Sequence, residues 1–388
     1  MPRLMAVVLI ALSLSLGCGT PGRVFCPASS SSTTCTCGSC PVQPFYAYVY
    51  AAGGNDQIAA FPIEASTGAI GTPVTSAGPA GGPGMAVMDN AFLYASNPLK
   101  VVSGGEIYGW MIDDATGALT AVPGSPFFLG PMAYPNGVAV ADNLGPSGPY
   151  LYIADLGTID ALQADTATGA LTTVPGSPFT SGTNFNLTVD YLNHFVFAAD
   201  EDSPGGVLAF TIDASTGALT PVPGSPFPIS SGSTGFMQLG QIVVDPTGSF
   251  VYVAMPSTSQ IAVFSITSSS GVLTPVPGSP FAVGGGASAI ATFNNSPGSD
   301  FLYVANTTAG TISGYSINPT TGALSPLAGS PFAISATSLA TDLSGGHLYV
   351  SSASGVMVFS INPSTGALTQ IGSPVAFAGA TALAYVGP

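Results

Sequence analysis

The sequence has few charged residues, and almost none of them are basic. Its 388 residues include three Lys or Arg and two His, only 5% are charged, and the formal net charge is −15. Lys100 is the only Lys or Arg after Arg23. Because proteins neutralise nucleic-acid phosphates with clustered Lys and Arg, we expect no nucleic-acid partner.

Several patterns of known chemistry are also missing. The sequence contains no G-x-S-x-G elbow, no H-E-x-x-H pair and no P-loop, and no stretch reads as a long amphipathic helix. These absences argue against an α/β-hydrolase, a zinc protease of that type and a phosphate-binding loop. What the chain has instead is 50 glycines, 35 prolines and 46% hydrophobic residues. This composition is typical of a well-buried β protein with frequent turns, and it excludes a disordered polyampholyte.

The N-terminus predicts export. Arg3 precedes the apolar run of residues 4–16, which is too short and too close to the N-terminus to be preferred as a membrane span, so residues 1–17 are interpreted as a signal peptide. Ser15-Leu16-Gly17-Cys18 resembles a bacterial lipobox, so we expect a lipid on Cys18. The alternative is an ordinary signal peptide that ends near a Cys. In either case the protein would be extracytoplasmic in a bacterial envelope, with the lipid as its only attachment to the membrane.

Residues 18–44 form a predicted tether that is rich in Ser, Thr and Cys. Its four remaining cysteines predict two disulfides, for which three pairings are open. A metal site and a Cys-x-x-Cys redox pair are the alternatives, although no His lies nearby. These cysteines are Cys26, Cys35, Cys37 and Cys40.

From residue 45 onward one pattern repeats seven times. Each period has two apolar strands, a Thr-Gly-Ala-Leu type of turn and, in most periods, the phrase PGSPF. The turn glycines lie 44 to 54 residues apart, a period typical of propeller blades. They are Gly68, Gly117, Gly169, Gly217, Gly271, Gly322 and Gly366. We therefore predict an all-β, seven-bladed propeller of four-stranded antiparallel blades over residues 45–388.

The fifth period illustrates the predicted blade, with strands over residues 241–245, 250–254, 261–266 and 273–281. Proline cannot donate a ladder hydrogen bond, so the strand written Pro-Val-Pro-Gly-Ser-Pro must lie at the outer edge. Residues 46–52 match a second strand and residues 379–386 match a first strand. The C-terminal strand is therefore expected to join the N-terminal blade and close the ring.

Four segments carry a resemblance to a known family: "DPTGSFVYVA" at Asp245, "FLYVAN" at Phe301, "GTISGYSIN" at Gly310 and "INPTTGAL" at Ile317. They resemble the lactonase-type seven-bladed propellers, which are 6-phosphogluconolactonase-like, and the related YVTN repeats. The resemblance implies the propeller fold and an activity that opens lactones. Family members credited with chemistry use a His, Glu and Arg pocket, whereas this chain has no Arg after Arg23. A phosphorylated lactone would need such a cation, so the expected lactone is neutral.

The face that carries the connections between second and third strands, and between blades, is the expected ligand face; we call it the loop face. Polar residues that break the repeat there are the candidate ligand-binding residues, namely Asn97, Asn136, Asp155, Asn184, Asp200 and Asn306. Asp155 and Asp200 are carboxylates on neighbouring blades and are the candidate catalytic pair, one of them acting as general base. The acidic residues before the Thr-Gly-Ala-Leu turns recur in equivalent positions and are expected to cap backbone groups.

Two functions follow as alternatives. The first is a binding or interaction module that takes a small molecule or a protein on the loop face. The second is a hydrolase of a neutral lactone. Solvated acidic loops and a Ca²⁺ ion held by the carboxylates are further interpretations, but the sequence lacks a 12-residue Ca²⁺ loop. We expect a monomer that needs no metal or other cofactor.

Overall fold

The computed structural model describes residues 47–53, 56–79, 84–97, 104–130, 133–142, 144, 148–202, 205–229, 237–295, 299–342 and 345–387, without the side chains of residues 183–185, 294–295 and 299. The predicted signal peptide, Cys18 and the four tether cysteines lie outside these residues, so those interpretations stay predictions. Within the described ranges, no helix is long and apolar enough to cross a membrane.

The described residues form the predicted seven-bladed, all-β propeller. Blade 1 contains β1 (Ala47–Gly53), β2 (Gln57–Ile63) and β3 (Val74–Ala77). Blade 2 contains β4 (Met85–Met88), β5 (Phe92–Asn97), β6 (Gly105–Ile112), β7 (Leu119–Ala121) and β8 (Phe127–Gly130). Blade 3 contains β9 (Val138–Ala141), β10 (Tyr150–Ala164) and β11 (Leu171–Thr173).

Blade 4 begins with the long strand β12 (Phe179–Val189) and continues with β13 (Phe195–Asp200), β14 (Gly206–Ile212), β15 (Leu219–Pro221) and β16 (Phe227–Pro228). Blade 5 contains β17 (Ile242–Val244), β18 (Phe250–Met255), β19 (Gln260–Ile266), β20 (Leu273–Pro275) and β21 (Phe281–Ala282). Blade 6 contains β22 (Ala287–Asn295), β23 (Ser299–Asn306), β24 (Thr311–Ile317) and β25 (Leu324–Pro326). Blade 7 contains β26 (Ser338–Thr341), β27 (His347–Ser352), β28 (Gly355–Ile361) and β29 (Leu368–Val375), and β30 (Ala382–Val386) ends the chain.

The ring closes as predicted. Strand β30 pairs antiparallel with β1, so that Tyr48 lies opposite Val386 and Ala52 opposite Ala382. The sheet order of blade 1 is therefore β3-β2-β1-β30, with the C-terminal strand innermost. Backbone hydrogen bonds between the two ends of the chain thus complete the first blade.

The PGSPF phrase lies at the outer edge of its blades, but it is not one continuous strand. In blade 5 the predicted strand over residues 273–281 is split into β20 and β21, and both pair with β19. Between them the Ser279–Pro280 peptide bond is cis, and the Ser279 hydroxyl accepts a hydrogen bond from the backbone N–H of Val263, 2.8 Å away. The serine hydroxyl thus accepts the hydrogen bond that a backbone carbonyl of an unbroken edge strand would otherwise accept. In four other blades the equivalent serine hydroxyl also accepts a hydrogen bond from a backbone N–H; these serines are Ser125, Ser177, Ser225 and Ser330.

Both faces of each blade are buried, as the apolar strand sequences predict. Every residue of β5, β13 and β18 is buried. The hydrophobic clusters combine neighbouring blades; one of them joins Tyr48 and Ile58 of blade 1 to Leu93 and Trp110 of blade 2. Each sheet is therefore packed between two others, which explains the high hydropathy of the chain.

A glycine and an aromatic ring connect each blade to the next. Gly117 of blade 2 has a φ of 70°, and a Cβ there would lie 2.6 Å from the ring of Tyr48 in blade 1. Only glycine satisfies both the positive φ and the close contact. The same pairing recurs around the ring, in Gly169 with Phe92, Gly217 with Tyr150, Gly271 with Phe195, Gly322 with Phe250, Gly366 with Phe301 and Gly68 with His347.

A buried tyrosine two residues after most of these rings strengthens the same junction. The Tyr152 hydroxyl donates to the carbonyl of Gly217 in the next blade, 2.9 Å away. Tyr50, Tyr94 and Tyr303 make the equivalent bond. Blade 4 has Phe197 in this position, and in blade 5 the buried Tyr252 hydroxyl has no hydrogen-bond partner among the described residues.

We predict that Gly271→Ala destabilises the protein by about 2–4 kcal/mol, because the new methyl group meets the Phe195 ring and the backbone keeps its positive φ. Gly248→Ala is the matched control, since Gly248 has a φ of 70° but no atom within 4 Å of the position that a Cβ would take, and should cost only about 1 kcal/mol. Chemical denaturation of both variants measures the difference. Equal losses would show that the ring contact carries no stability.

We also predict that Tyr152→Phe costs about 1 kcal/mol of unfolding free energy, because it removes the hydrogen bond to Gly217. Tyr252→Phe should change stability by less than about 0.5 kcal/mol or increase it, because a buried hydroxyl without a partner is itself unfavourable. Urea denaturation midpoints of the two variants test this contrast. A larger loss in Tyr252→Phe than in Tyr152→Phe would contradict it.

Candidate functional site

Four of the six candidate residues lie at equivalent positions, at the loop-face end of a second strand. Asn97, Asp200 and Asn306 are the last residues of β5, β13 and β23, and Asp155 takes this position within β10. All four are buried. The burial of Asp155 and Asp200 does not fit the alternative of a solvated acidic loop.

A cavity of about 300 Å³ opens beside Asp155, between the outer edge of blade 2 and blade 3. Its lining combines two carboxylates with apolar and small residues from β8, β10 and the segments that follow β8 and β11. The lining residues are Leu129, Gly130, Ala133, Asp155, Thr158, Asp160 and Pro178. We call it the blade 2–3 cavity.

Strand β10 places both carboxylates in this cavity. In blade 3 no separate loop joins the second and third strands, because β10 folds back on itself through a tight turn at Gly157, whose φ is 87°. The backbone N–H of Ala164 accordingly donates to the carbonyl of Pro149, at 3.0 Å. This hairpin replaces the loop expected between these strands, and it brings Asp155 and Asp160 to the same end of the blade.

Asp155 is held by two backbone groups. Its Oδ1 accepts hydrogen bonds from the N–H of Tyr134, at 2.5 Å, and of Leu156, at 2.7 Å. Asn136 belongs to the same arrangement, since its Nδ2 donates to the carbonyl of Tyr134, at 3.2 Å. The structure thus brings Asn136 and Asp155 together through one backbone segment.

Asp160 is the residue of this site that the sequence analysis missed. Its side chain lines the cavity, only 6% of the residue is exposed, and no described residue donates a hydrogen bond to it. Burial, and to a lesser degree the nearby Asp155 carboxylate, raise the pKa of Asp160 to about 7. Near neutral pH this carboxyl group can therefore both accept and release a proton.

A signal for Asp160 was present in the repeat. The equivalent third-strand positions of the other blades are Ala59, Tyr108, Leu208, Ala262, Ser313 and Met357. Only blade 3 has a carboxylate at this position, where it lies between the buried apolar residues Ile159 and Ala161. Buried carboxylates without a partner are unfavourable, so this exception pointed to a functional position.

Asp200 and Asn184 lie on neighbouring strands of blade 4. Their backbones are directly opposite each other in the β12–β13 pairing, while the side chain of Asn184 lies outside the described atoms. Asp200 accepts a hydrogen bond from the N–H of Asp202, at 3.1 Å, and packs against Gly182. Burial raises the pKa of Asp200. Asp200 does not line the blade 2–3 cavity, so the structure pairs Asp155 with Asp160 there.

The remaining two candidates have partners within their own blades. Asn306 donates through Nδ2 to the hydroxyls of Thr311, at 3.1 Å, and Ser313, at 2.9 Å. Asn97 is hydrogen bonded to Tyr108. Neither residue lines the cavity. A ligand role for them stays a prediction.

Carboxylates on the opposite face cap turns, as predicted. Asp213 accepts hydrogen bonds from Ser215 and Thr216, which lower its pKa, and Asn318 accepts the same backbone bonds in blade 6. His347 contacts Asp342 through Nδ1, at 2.6 Å, beside its packing on Gly68. In the part of the chain that the structure describes, no group of three or more His, Cys, Asp or Glu is arranged to hold a metal ion.

Comparison with known proteins agrees with this architecture. The sequence model of the family described as "Lactonase, 7-bladed beta-propeller" matches residues 224–337 and 286–385. The resemblance to this family is confirmed. No curated protein matches the chain.

Solved lactonase-type propellers share the fold of this chain at low sequence identity. The periplasmic gluconolactonase PpgL of Pseudomonas aeruginosa is 16% identical, with a TM-score of 0.70 and coverage of 88% of this chain and 99% of its own. A Bacteroides uniformis ATCC 8492 protein proposed to be a 6-phosphogluconolactonase is 18% identical, with a TM-score of 0.68 and coverage of 89% and 100%. A Bacteroides fragilis NCTC 9343 protein proposed to have the same activity is 16% identical, with a TM-score of 0.69 and coverage of 89% and 99%.

We predict that Asp160→Asn stabilises the protein increasingly as the pH rises. The folded-state pKa of Asp160 lies above its unfolded value, so its contribution is fully present below about pH 4 and is lost as the pH rises to about 7. Asn does not titrate, so the variant should gain roughly 3 kcal/mol over the wild type between pH 4.5 and pH 8. Urea denaturation at three pH values measures this gain.

Asp213→Asn is the control for that series. It removes the same charge at a turn where other blades already use Asn, and the pKa of Asp213 is lowered, so this variant should show no such gain at high pH. Asp155 is the only other titratable residue among those lining the cavity. If the difference in unfolding free energy between Asp160→Asn and the wild type did not change with pH, this would contradict the interpretation of Asp160 as a buried carboxyl group without a hydrogen-bond donor or counter-charge.

Proposed function

We propose that this protein is an exported, lipid-anchored propeller that binds a small molecule on its loop face, in the blade 2–3 cavity. The observation that carries the proposal is Asp160, a buried carboxyl group that opens onto a cavity and receives no hydrogen bond from any described residue. An unpaired buried carboxyl group is costly unless a ligand or solvent provides donors. Concave pockets in which a few polar groups converge are a usual form of ligand site.

Export and anchoring are supported by the N-terminal sequence. The Arg3-led apolar run and the lipobox-like Cys18 are the features of an exported lipoprotein. One structural neighbour, the Pseudomonas aeruginosa gluconolactonase, is described as periplasmic. An extracytoplasmic location in a bacterial envelope fits both observations.

The size of the cavity favours a small molecule over a protein as the occupant. Its volume of about 300 Å³ lies at the lower end of the range for small-molecule pockets. A protein partner would need an interface of at least about 1,000 Å² of buried surface.

A second candidate function is the hydrolysis of a neutral lactone. It is favoured by the carboxyl group of Asp160, whose pKa of about 7 suits a general base that activates water near neutral pH. One structural neighbour is described as a gluconolactonase and another is proposed to be a 6-phosphogluconolactonase, and both descriptions are consistent with lactone opening. Arg3, Arg23 and Lys100 are the only Lys or Arg of the chain and all lie outside the described residues, so the described site offers no cation for a phosphorylated substrate.

Isothermal titration and turnover assays separate the two functions. We predict that an Asp160→Leu variant loses at least about tenfold in affinity for any ligand of this cavity, because a buried carboxylate–ligand hydrogen bond contributes about 1.5–3 kcal/mol. A pH-stat assay with glucono-δ-lactone tests hydrolysis, which Asp160→Asn should abolish if Asp160 is the base. Asp213→Asn is the matched control and should behave as the wild type.

The outcomes distinguish the candidates. Saturable binding without turnover supports the binding module, and turnover that depends on Asp160 supports the hydrolase. Ligand binding or turnover that survives in Asp160→Leu would place the site elsewhere on the propeller.

A further inference from the structure

We infer that the blade 2–3 cavity selects an organic cation: a primary ammonium group attached to a compact apolar body. This inference rests on the proposed binding function and names the class of ligand. It follows from the charge of the lining, from the number of free acceptor atoms and from the apolar residues opposite the carboxylates.

The charge of the lining is entirely negative. Asp155 and Asp160 are the only ionisable residues among those that line the cavity, and the part of the chain that the structure describes contains no Lys or Arg. Buried charges in proteins are normally paired with an opposite charge. A ligand that carries a positive charge would supply the missing counter-charge, whereas an anionic ligand would add to the repulsion.

The hydrogen-bonding capacity of the pair matches an ammonium group. Oδ1 of Asp155 is occupied by the N–H groups of Tyr134 and Leu156, and no described residue bonds to its Oδ2 or to either oxygen of Asp160. Three carboxylate oxygens therefore remain as acceptors, and a primary ammonium group has three N–H donors. A neutral polyol uses donors as well as acceptors, and apart from the protonated form of Asp160 the hydroxyl of Thr158 is the only side-chain donor in the lining.

The rest of the lining suits an apolar body. Leu129, Ala133 and Pro178 contribute apolar surface to the cavity. A volume of about 300 Å³ holds on the order of ten non-hydrogen atoms, if each takes the roughly 30 Å³ of a water molecule. An aryl-alkyl or alkyl amine of that size would place its charge on the carboxylates and its carbon skeleton on these residues.

Binding should also release a proton. Asp160 is partly protonated near neutral pH, and an ammonium ion beside it would favour the ionised carboxylate. Asp155 is the only other titratable group that faces it from the lining residues, which come from β8, β10 and the segments after β8 and β11. The proton released at pH 6.5 is therefore a readout that depends on Asp160.

The test uses three probes that share one skeleton: 2-phenylethylamine as the cation, 2-phenylethanol as the neutral form and phenylacetate as the anion. Isothermal titration of the full-length protein should give a Kd for the amine at least tenfold lower than for the alcohol, and no binding of the anion. Titrations in buffers of different ionisation enthalpy should show proton release with the wild type and none with Asp160→Asn. Glucono-δ-lactone serves as the neutral ligand that tests the proposed function independently.

Variants assign the effect to the cavity. Asp160→Leu should weaken amine binding at least tenfold, and Asp213→Asn, which removes the same charge at an exposed turn, should not. Asp160→Asn provides a second test if Asp160→Leu fails to fold, because it keeps the shape and removes the charge. Lys100 is the only Lys or Arg after Arg23, so we also test whether it competes with the amine for the carboxylates. The inference requires that the carboxylates be open to a ligand in the native chain, so Lys100→Gln should leave the amine Kd unchanged within twofold.

The possible outcomes test the ligand class and the proposed binding function separately. Equal affinity for the amine and the alcohol, or amine binding that appears only in Lys100→Gln, would overturn the inference. Binding or hydrolysis of glucono-δ-lactone that depends on Asp160, without a preference for the amine, would leave the proposed function in place and overturn this ligand class. Absence of binding for all four probes would overturn both.

Discussion

The contact between a turn glycine and an aromatic ring of the preceding blade is the constraint on which the rest of the propeller depends. It occurs at all seven junctions, and in each one the ring lies among the first three residues of a second strand. The residue at the loop-face end of that strand follows five positions later, as in Tyr150 and Asp155 or Phe195 and Asp200. Because a strand is rigid over such a distance, the packing at one face of the disc fixes where the polar residues stand at the other.

This coupling explains how much of the fold could be predicted from the sequence. Three local signals in the sequence predicted the fold. The turn glycines indicated the hairpins, the prolines indicated the outer edge of each blade, and the apolar first and last strands indicated the closure of the ring. The break within the edge strand was not predicted, because it depends on a hydroxyl, such as that of Ser279, replacing a backbone acceptor on the neighbouring strand. A side chain that accepts a hydrogen bond in place of a backbone carbonyl produces no periodic pattern in the sequence from which it could be predicted.

The candidate site was predicted only in part, for a similar reason. Asp155 breaks the repeat at a position where loops were expected, so it was recognised. Asp160 lies within a strand, and its significance depends on a cavity formed with Leu129 and Pro178, which belong to segments distant from it in the sequence. The sequence analysis paired Asp155 with Asp200 because they lie in neighbouring blades. In the structure the tight β10 hairpin instead brings Asp155 and Asp160 into the same cavity, and Asp200 does not line it.

The position of β30 has a consequence for how the chain reaches its final form. Tyr48 in the first strand of blade 1 pairs with Val386 in β30, which follows all seven blades in sequence. During synthesis blade 1 therefore lacks its innermost strand until β30 has been made, while the other blades consist of strands that follow one another in the chain. The ring can close only once β30 is available, so closure follows the synthesis of the seven blades.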